Sequence, residues 1–271
     1  MRAAIATTVF PSNVTTLRRY FELVTTVAER NIKARYRGSV LGVFWSLSNP
    51  LIMTGLYTLI FGTAFASYYG GSILNYVLAV FMGLVAVTFF SQTTSQALSS
   101  IVANGSLVNK IRIPLSVFPI SIVVANLFQF VIGVLPVIVF VTLFVSHRPE
   151  RVVLLIAPAA ALLLVTIGVS LAVAALFVFF RDLPYIYELI VFIIWITSPI
   201  FYPEEIVPLH LRIWVHINPV SAIANDVRQI AFSQTAPSLT SLAATCALGF
   251  ATAIVGAAVF LIMRDAVKDL L

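Results

Sequence analysis

The sequence predicts an all-α polytopic membrane protein. It would have six transmembrane helices, an N-terminal amphipathic interface helix, and a re-entrant or interfacial outer segment between helices five and six. Three observations predict this. Of the 271 residues, 61% are hydrophobic and 10% charged, against roughly 45–50% and 25% in soluble domains. A single soluble core of this size has no place for so many apolar side chains. The apolar residues fall in runs long enough to cross a hydrocarbon layer of ~30 Å, which takes about 20 residues per helix. Finally, the cations flank those runs unevenly. The same composition excludes a disordered chain, a secreted disulfide scaffold and an ordinary soluble enzyme. The single cysteine, Cys246, rules out an intramolecular disulfide framework.

The first ten residues are apolar behind Arg2, but Pro11 ends them without a small-residue cleavage site, so no removal is expected. Residues 15–37 read as the amphipathic helix. Leu17, Tyr20, Phe21, Val24, Val27 and Ala28 recur at three- and four-residue steps, with most of the charges on the remaining surface. Such a helix lies along the cytoplasmic leaflet, either as a plain anchor or as part of a docking surface. Spans follow at about 41–66, 73–91, 114–145, 152–180, 185–202 and 239–263. Pro119 and Pro136 are expected to kink the third. Residues 203–237 hold Glu204, Glu205, Arg212, Asp226 and Arg228 and are punctuated by Pro208 and Pro219. They make no full span. Two short amphipathic pieces, 206–216 and 220–232, are expected at the interface or dipping into it.

Cations mark the cytoplasmic side of a bilayer. With the N-terminus inside, twelve of them are cytoplasmic: Arg2, Arg18, Arg19, Arg30, Lys33, Arg35, Arg37, Lys110, Arg112, Arg181, Arg264 and Lys268. Four are outside: Arg148, Arg151, Arg212 and Arg228. Both termini are therefore expected in the cytoplasm.

Three groups of residues are candidates for function. In the inner loop at 99–113, residues 103–110 have room for one or two helical turns, carrying Leu107 and Val108 as an apolar nub with Lys110 and Arg112 beyond. That is either a connector or a docking element for a soluble partner. Tyr57, Phe61, Phe65 and Tyr68 recur at helical steps along the outer half of the first span, and Trp195 and Tyr202 flank Pro199. Aromatics commonly pack helices or mark interfaces. The same faces also suit a channel wall for sugar rings. Arg181, Asp182 and Glu188 are charges at the cytoplasmic mouth, and Glu188 is an ionisable group inside a span.

Soluble-enzyme chemistry finds no footing. No H-E-x-x-H motif occurs among His147, His210 and His216, Glu204 and Glu205 are adjacent and diverge on a helix, and no P-loop is present. ATP-driven work would need a second polypeptide. The lack of carboxylates or lysines at mid-membrane argues against an ion-coupled flippase. An integral-membrane glycosyl- or acyltransferase would need a base and acceptor pair that is not found.

The stretch from Lys33 to Leu47 (KARYRGSVLGVFWSL), followed by Asn49-Pro50-Leu51, resembles the start of the first span in ABC-2 type exporter permeases. These are the membrane subunits that export O-antigen, capsular polysaccharide and teichoic acid. Residues 109–114, 180–183 and 198–203 are similar in the same order, as is Asn218-Pro219 followed by Arg228. The resemblance covers nearly the whole chain, 1–271, as a single ABC-2 type transmembrane domain. It implies a homodimer of permeases on two ATP-binding cassette subunits, with ATP and Mg on those partners and no cofactor on this chain. It also implies an inner-membrane location, a lipid-linked glycan as cargo, and no nucleic-acid partner. On that reading Leu107, Val108, Lys110 and Arg112 couple to the ATPase. Tyr57, Phe61, Phe65 and Tyr202 would line the glycan route. Within the family, teichoic acid, drugs and other lipids remain alternative cargoes.

Overall fold

The computed structural model describes residues 13–40, 42–108, 113–232 and 237–270, and all regular structure among them is helical. The amphipathic segment forms α1 (Asn13–Arg35). It does not lie free: Val24 and Ala28 are buried against the bundle, while Leu17 and Phe21 stay exposed. The predicted apolar face is thus divided between protein and surroundings.

A 3-10 turn at Gly42–Phe44 leads into α2 (Trp45–Phe65). A second such turn, Ala66–Tyr69, ends at Gly70, whose φ of 69° places it in the left-handed region that glycine adopts without a Cβ penalty. Ser72 then caps α3 (Ile73–Leu98), accepting a bond from the Asn75 amide at 3.3 Å. The helix runs seven residues past the expected end at 91. Gln92–Gln96 continue it because Thr93, Thr94 and Ala97 face inward and the Thr94 hydroxyl returns to the Phe90 carbonyl at 2.8 Å.

The inner loop holds α4 (Gly105–Val108). Next come α5 (Val117–Gln129), a π-turn at Phe130–Val134 and α6 (Leu135–Ser146). Pro119 falls in the first turn of α5, where its missing N–H costs nothing. Pro136 follows the π-turn, where the hydrogen-bond ladder is already shifted by one residue. After α7 (Glu150–Leu154) comes α8 (Ile156–Phe179), then α9 (Leu183–Thr197). The outer segment forms α10 (Arg212–Ile217) and α11 (Pro219–Phe232), and α12 (Leu239–Leu270) closes the chain.

Among the described residues, five stretches are long and apolar enough to cross a bilayer: Trp45–Tyr69, Ile73–Leu98, Val117–Ser146, Glu150–Phe179 and Leu239–Val267. The expected span 185–202 is shorter than predicted. α9 has 15 residues, about 22 Å at 1.5 Å per residue, against a hydrocarbon layer of ~30 Å. Pro199 explains the stop: Ser198 before it is extended, with φ −84° and ψ 119°. The piece expected at 206–216 is likewise reduced to α10, because Pro208 interrupts it.

α3 is the central helix, packed by α2, α5, α8 and α11. Tyr76, Val80, Leu84, Val87 and Phe90 on α3 are buried with Ala161, Leu162 and Val165 of α8 and Val220 and Ile223 of α11. α8 and α12 pack most closely. A Cβ added to Gly168 would collide with the Thr252 carbonyl, and one added to Gly256 would collide with the backbone of Gly168. Small residues at such crossings let membrane helices touch backbone to backbone.

Candidate functional site

Where α9 stops, its backbone loses the helical ladder, and side chains take up the carbonyls. Asn218 Nδ2 donates to the Ile194 carbonyl at 2.8 Å, and the Tyr202 hydroxyl donates to the Ile196 carbonyl at 2.7 Å. The Arg228 guanidinium donates to the carbonyls of Pro199 and Ile200, the latter at 2.6 Å. The Tyr76 hydroxyl donates to the Phe201 carbonyl at 2.8 Å. Backbone that leaves the helical ladder is tolerated when its polar groups are met by protein, as these carbonyls are.

Two of these residues do double duty. Asn218 also lies 2.9 Å from Ser198 Oγ, and its Oδ1 accepts from the Val220 amide at 3.0 Å, capping α11. Arg228 Nε reaches across to the Ala79 carbonyl of α3 at 2.9 Å. α11 is therefore tied at one end to α9 and at the other to α3.

Tyr57, Phe61 and Phe65 of α2 and Tyr68 of the turn after it form one continuous ladder. Tyr57 stacks on Phe61 with centroids 6.4 Å apart, Phe61 on Phe65 at 5.8 Å, and Phe65 meets Tyr68 edge-on at 6.3 Å. Phe201 lies against both Tyr57 at 4.8 Å and Phe61 at 5.9 Å, and Trp195 approaches Tyr57 at 5.9 Å. Tyr202 stands edge-on to Phe201 at 5.2 Å. All four predicted pathway residues are half-buried. The ladder ends at an open polar cavity of about 640 Å³, bordered by Tyr68, Tyr69, Asn75, Glu204, Asn225 and Arg228 among others. On its rim Glu204 Oε1 lies 3.3 Å from His216 Nε2.

At the other end of the bundle, Leu107 and Val108 are half-buried against the cluster around Ile101, Leu115, Phe118 and Val267. The apolar nub is thus partly covered by its own chain. Lys110 and Arg112 lie outside the described residues. Arg181, Asp182 and Glu188 are exposed, and no ion pair joins them among the described residues; the Arg181 guanidinium lies over the Phe177 ring at 5.8 Å. On α1, Lys33 holds the Glu29 carboxyl below its ordinary pKa through a hydrogen bond and its charge.

One polar cluster was not anticipated. Arg35 Nη1 donates to Asn126 Oδ1 at 2.9 Å and to Gln129 Oε1 at 3.1 Å, and its Nη2 donates to Gln96 Oε1. Asn126 Nδ2 donates in turn to Gln96 Oε1 at 3.0 Å. The sequence did carry a signal. Gln92 and Gln96 are four residues apart and Asn126 and Gln129 three, so each pair lies on one face of its helix. Polar amides inside apolar spans are functional suspects in the same way that charges are. The roles of Asn218 and Arg228 were missed as well, although both stand in the recognised stretches.

Residues 22–232 match the ABC-2 type transporter family. The chain is 28% identical over 242 residues to the O-antigen export system permease protein RfbA of Klebsiella pneumoniae, covering 89% of this chain and 91% of that protein. It is 29% identical over 236 residues to the protein of the same name from Myxococcus xanthus, covering 86% and 88%. These matches bear out the resemblance read from the sequence.

Proposed function

Because the chain belongs to the ABC-2 type transporter family, we propose that it is the permease subunit of an ATP-driven exporter carrying a lipid-linked polysaccharide out across the cytoplasmic membrane. Its relatives' names supply the cargo class, O-antigen. The observation that carries the reading is the aromatic ladder from Tyr57 to Tyr68 ending at the polar cavity under Arg228. Aromatic faces stack on the apolar faces of sugar rings and leave the hydroxyls to water, which suits a polymer that must slide.

In this reading two copies pair and sit on two ATP-binding subunits, which hold the ATP and Mg. The chain is a transport subunit without an ATPase site of its own. α9 and residues 198–203 together make the sixth crossing, which puts both termini in the cytoplasm. α11 and its neighbours are re-entrant and form the outer gate. α1 and the loop with Leu107, Val108, Lys110 and Arg112 face the ATPase.

Disruption of the chain tests this. Surface polysaccharide should disappear while its lipid-linked form accumulates on the inner leaflet, and re-expression should restore export. Unchanged surface polysaccharide in the disrupted cells would overturn the reading.

A further inference from the structure

We propose that Arg35 is a binding site for the phosphate of a membrane-anchored lipid, held ready by the amides of Gln96, Asn126 and Gln129. The observation is a charge without a counter-charge. The guanidinium is fixed by three neutral amide oxygens, and among the described residues no carboxylate forms an ion pair with it. No neighbouring cation is held in this way. Lys33 is paired with Glu29, Arg30 bonds to the Asn104 amide oxygen at 2.9 Å, and Arg37 is exposed.

The cradle is built rather than incidental. Three helices, α1, α3 and α5, each contribute to it, and Asn126 and Gln129 are 5% and 4% exposed. The Gln129 oxygen is committed to Arg35 while its Nε2 is buried without a partner. Gln129 also borders a cavity of about 30 Å³, room for about one water. Arg35 itself remains exposed on its far side, so an ion can approach the free edge of the guanidinium.

Depth identifies the ligand. α3 has 26 residues, about 39 Å at 1.5 Å per residue, more than the ~30 Å of hydrocarbon. Gln96 stands two residues before the end of that helix, so the cradle is at headgroup level on the face opposite Ile73. Phosphate is the anion that lipids present there, and the planar fork of arginine matches it with two parallel bonds. This inference rests on the export reading for one point only, that the lipid is the carrier of the cargo.

The test uses the full-length chain in maltoside micelles, which contain no phosphate. It is titrated with hexadecyl phosphate, with hexadecanol and with inorganic phosphate. The wild type should bind hexadecyl phosphate saturably and the other two at least about tenfold more weakly, since each lacks either the charge or the anchor. Arg35→Gln should lose about tenfold in affinity. Arg35→Lys keeps the charge but not the fork and should lose about threefold, and Arg37→Gln should change little. Thermal unfolding checks that each variant is folded; if Arg35→Gln is not, Arg35→Lys and Gln129→Leu carry the comparison.

Equal binding by Arg35→Gln, or equal affinity for hexadecanol, overturns the site. Equal affinity for inorganic phosphate overturns the lipid as its source. Export in cells separates the two readings. A folded Arg35→Gln variant that has lost phosphate binding yet exports at the wild-type rate would remove the cargo carrier from the site. Absence of export by the wild type would overturn the function while leaving the binding result standing.

Discussion

Gly83 lies directly beneath Arg228: a Cβ at that position would stand 2.7 Å from Nη2 of the guanidinium and 3.2 Å from Ile200 Cγ2. The missing side chain on α3 is what allows α11 to close over the break after α9. Gly83→Ala is expected to destabilise the protein by about 1–3 kcal/mol, the usual cost of overpacking. Arg228→Lys should cost about 2 kcal/mol, since one ammonium cannot serve three carbonyls arranged for a fork. The two effects share one contact, so the double variant should cost less than their sum. Thermal unfolding in detergent measures all three, and strict additivity would disconnect the pair.

Asn218 makes a separable prediction. Asn218→Ser keeps an oxygen able to cap α11 and loses the Nδ2 donor to α9, whereas Asn218→Ala loses both. Alanine should therefore be the more damaging, by about 1 kcal/mol, the typical worth of a cap. Equal losses would mean that the cap at Val220 contributes nothing.

Much of this was legible in the sequence, and the reasons differ by element. α8 and α12 announce themselves as unbroken apolar runs, and α1 by its periodicity. α9 was overdrawn because Ile200, Phe201 and Tyr202 continue the apolar run past Pro199, so hydropathy outvoted the backbone restriction at Ser198. The ladder on α2 was visible as spacing, but its partners Trp195 and Phe201 come from a helix and a turn more than 130 residues on. The Arg35 cradle is a meeting of three helices. Its amide spacing is in the sequence, but which faces turn toward one another is not.

The close crossing of α8 and α12 should be intolerant of bulk. Gly168→Leu and Gly256→Leu each force backbone apart where no side chain can yield, at a cost of about 3 kcal/mol or more. Gly55, which has nothing within 4 Å of a Cβ built on it, is the control and should accept leucine with a change of about 0.5 kcal/mol or less. Expression and monodispersity in detergent provide the readout. A stable Gly256→Leu protein would refute the packing.

Alanine at Tyr57, Phe61 and Phe65 together removes the ladder. Export per assembled complex should fall severalfold as the stacking faces are lost, while insertion and assembly persist. Loss of assembly with normal export per complex would make the rings packing elements instead.

The π-turn at Phe130–Val134 has a genetic consequence. A π-turn is an α-helix carrying one additional residue, so deleting any one residue within it would restore an ordinary helix and leave its length acceptable. Because the wider turn already absorbs the additional residue, that deletion leaves the downstream faces where they are, and Ile138, Val141 and Thr142 still point into the core. A single deletion elsewhere in α5 or α6 instead rotates everything beyond it by about 100°. Single in-frame deletions within these five codons should therefore survive in a functional library better than single deletions on either side of them.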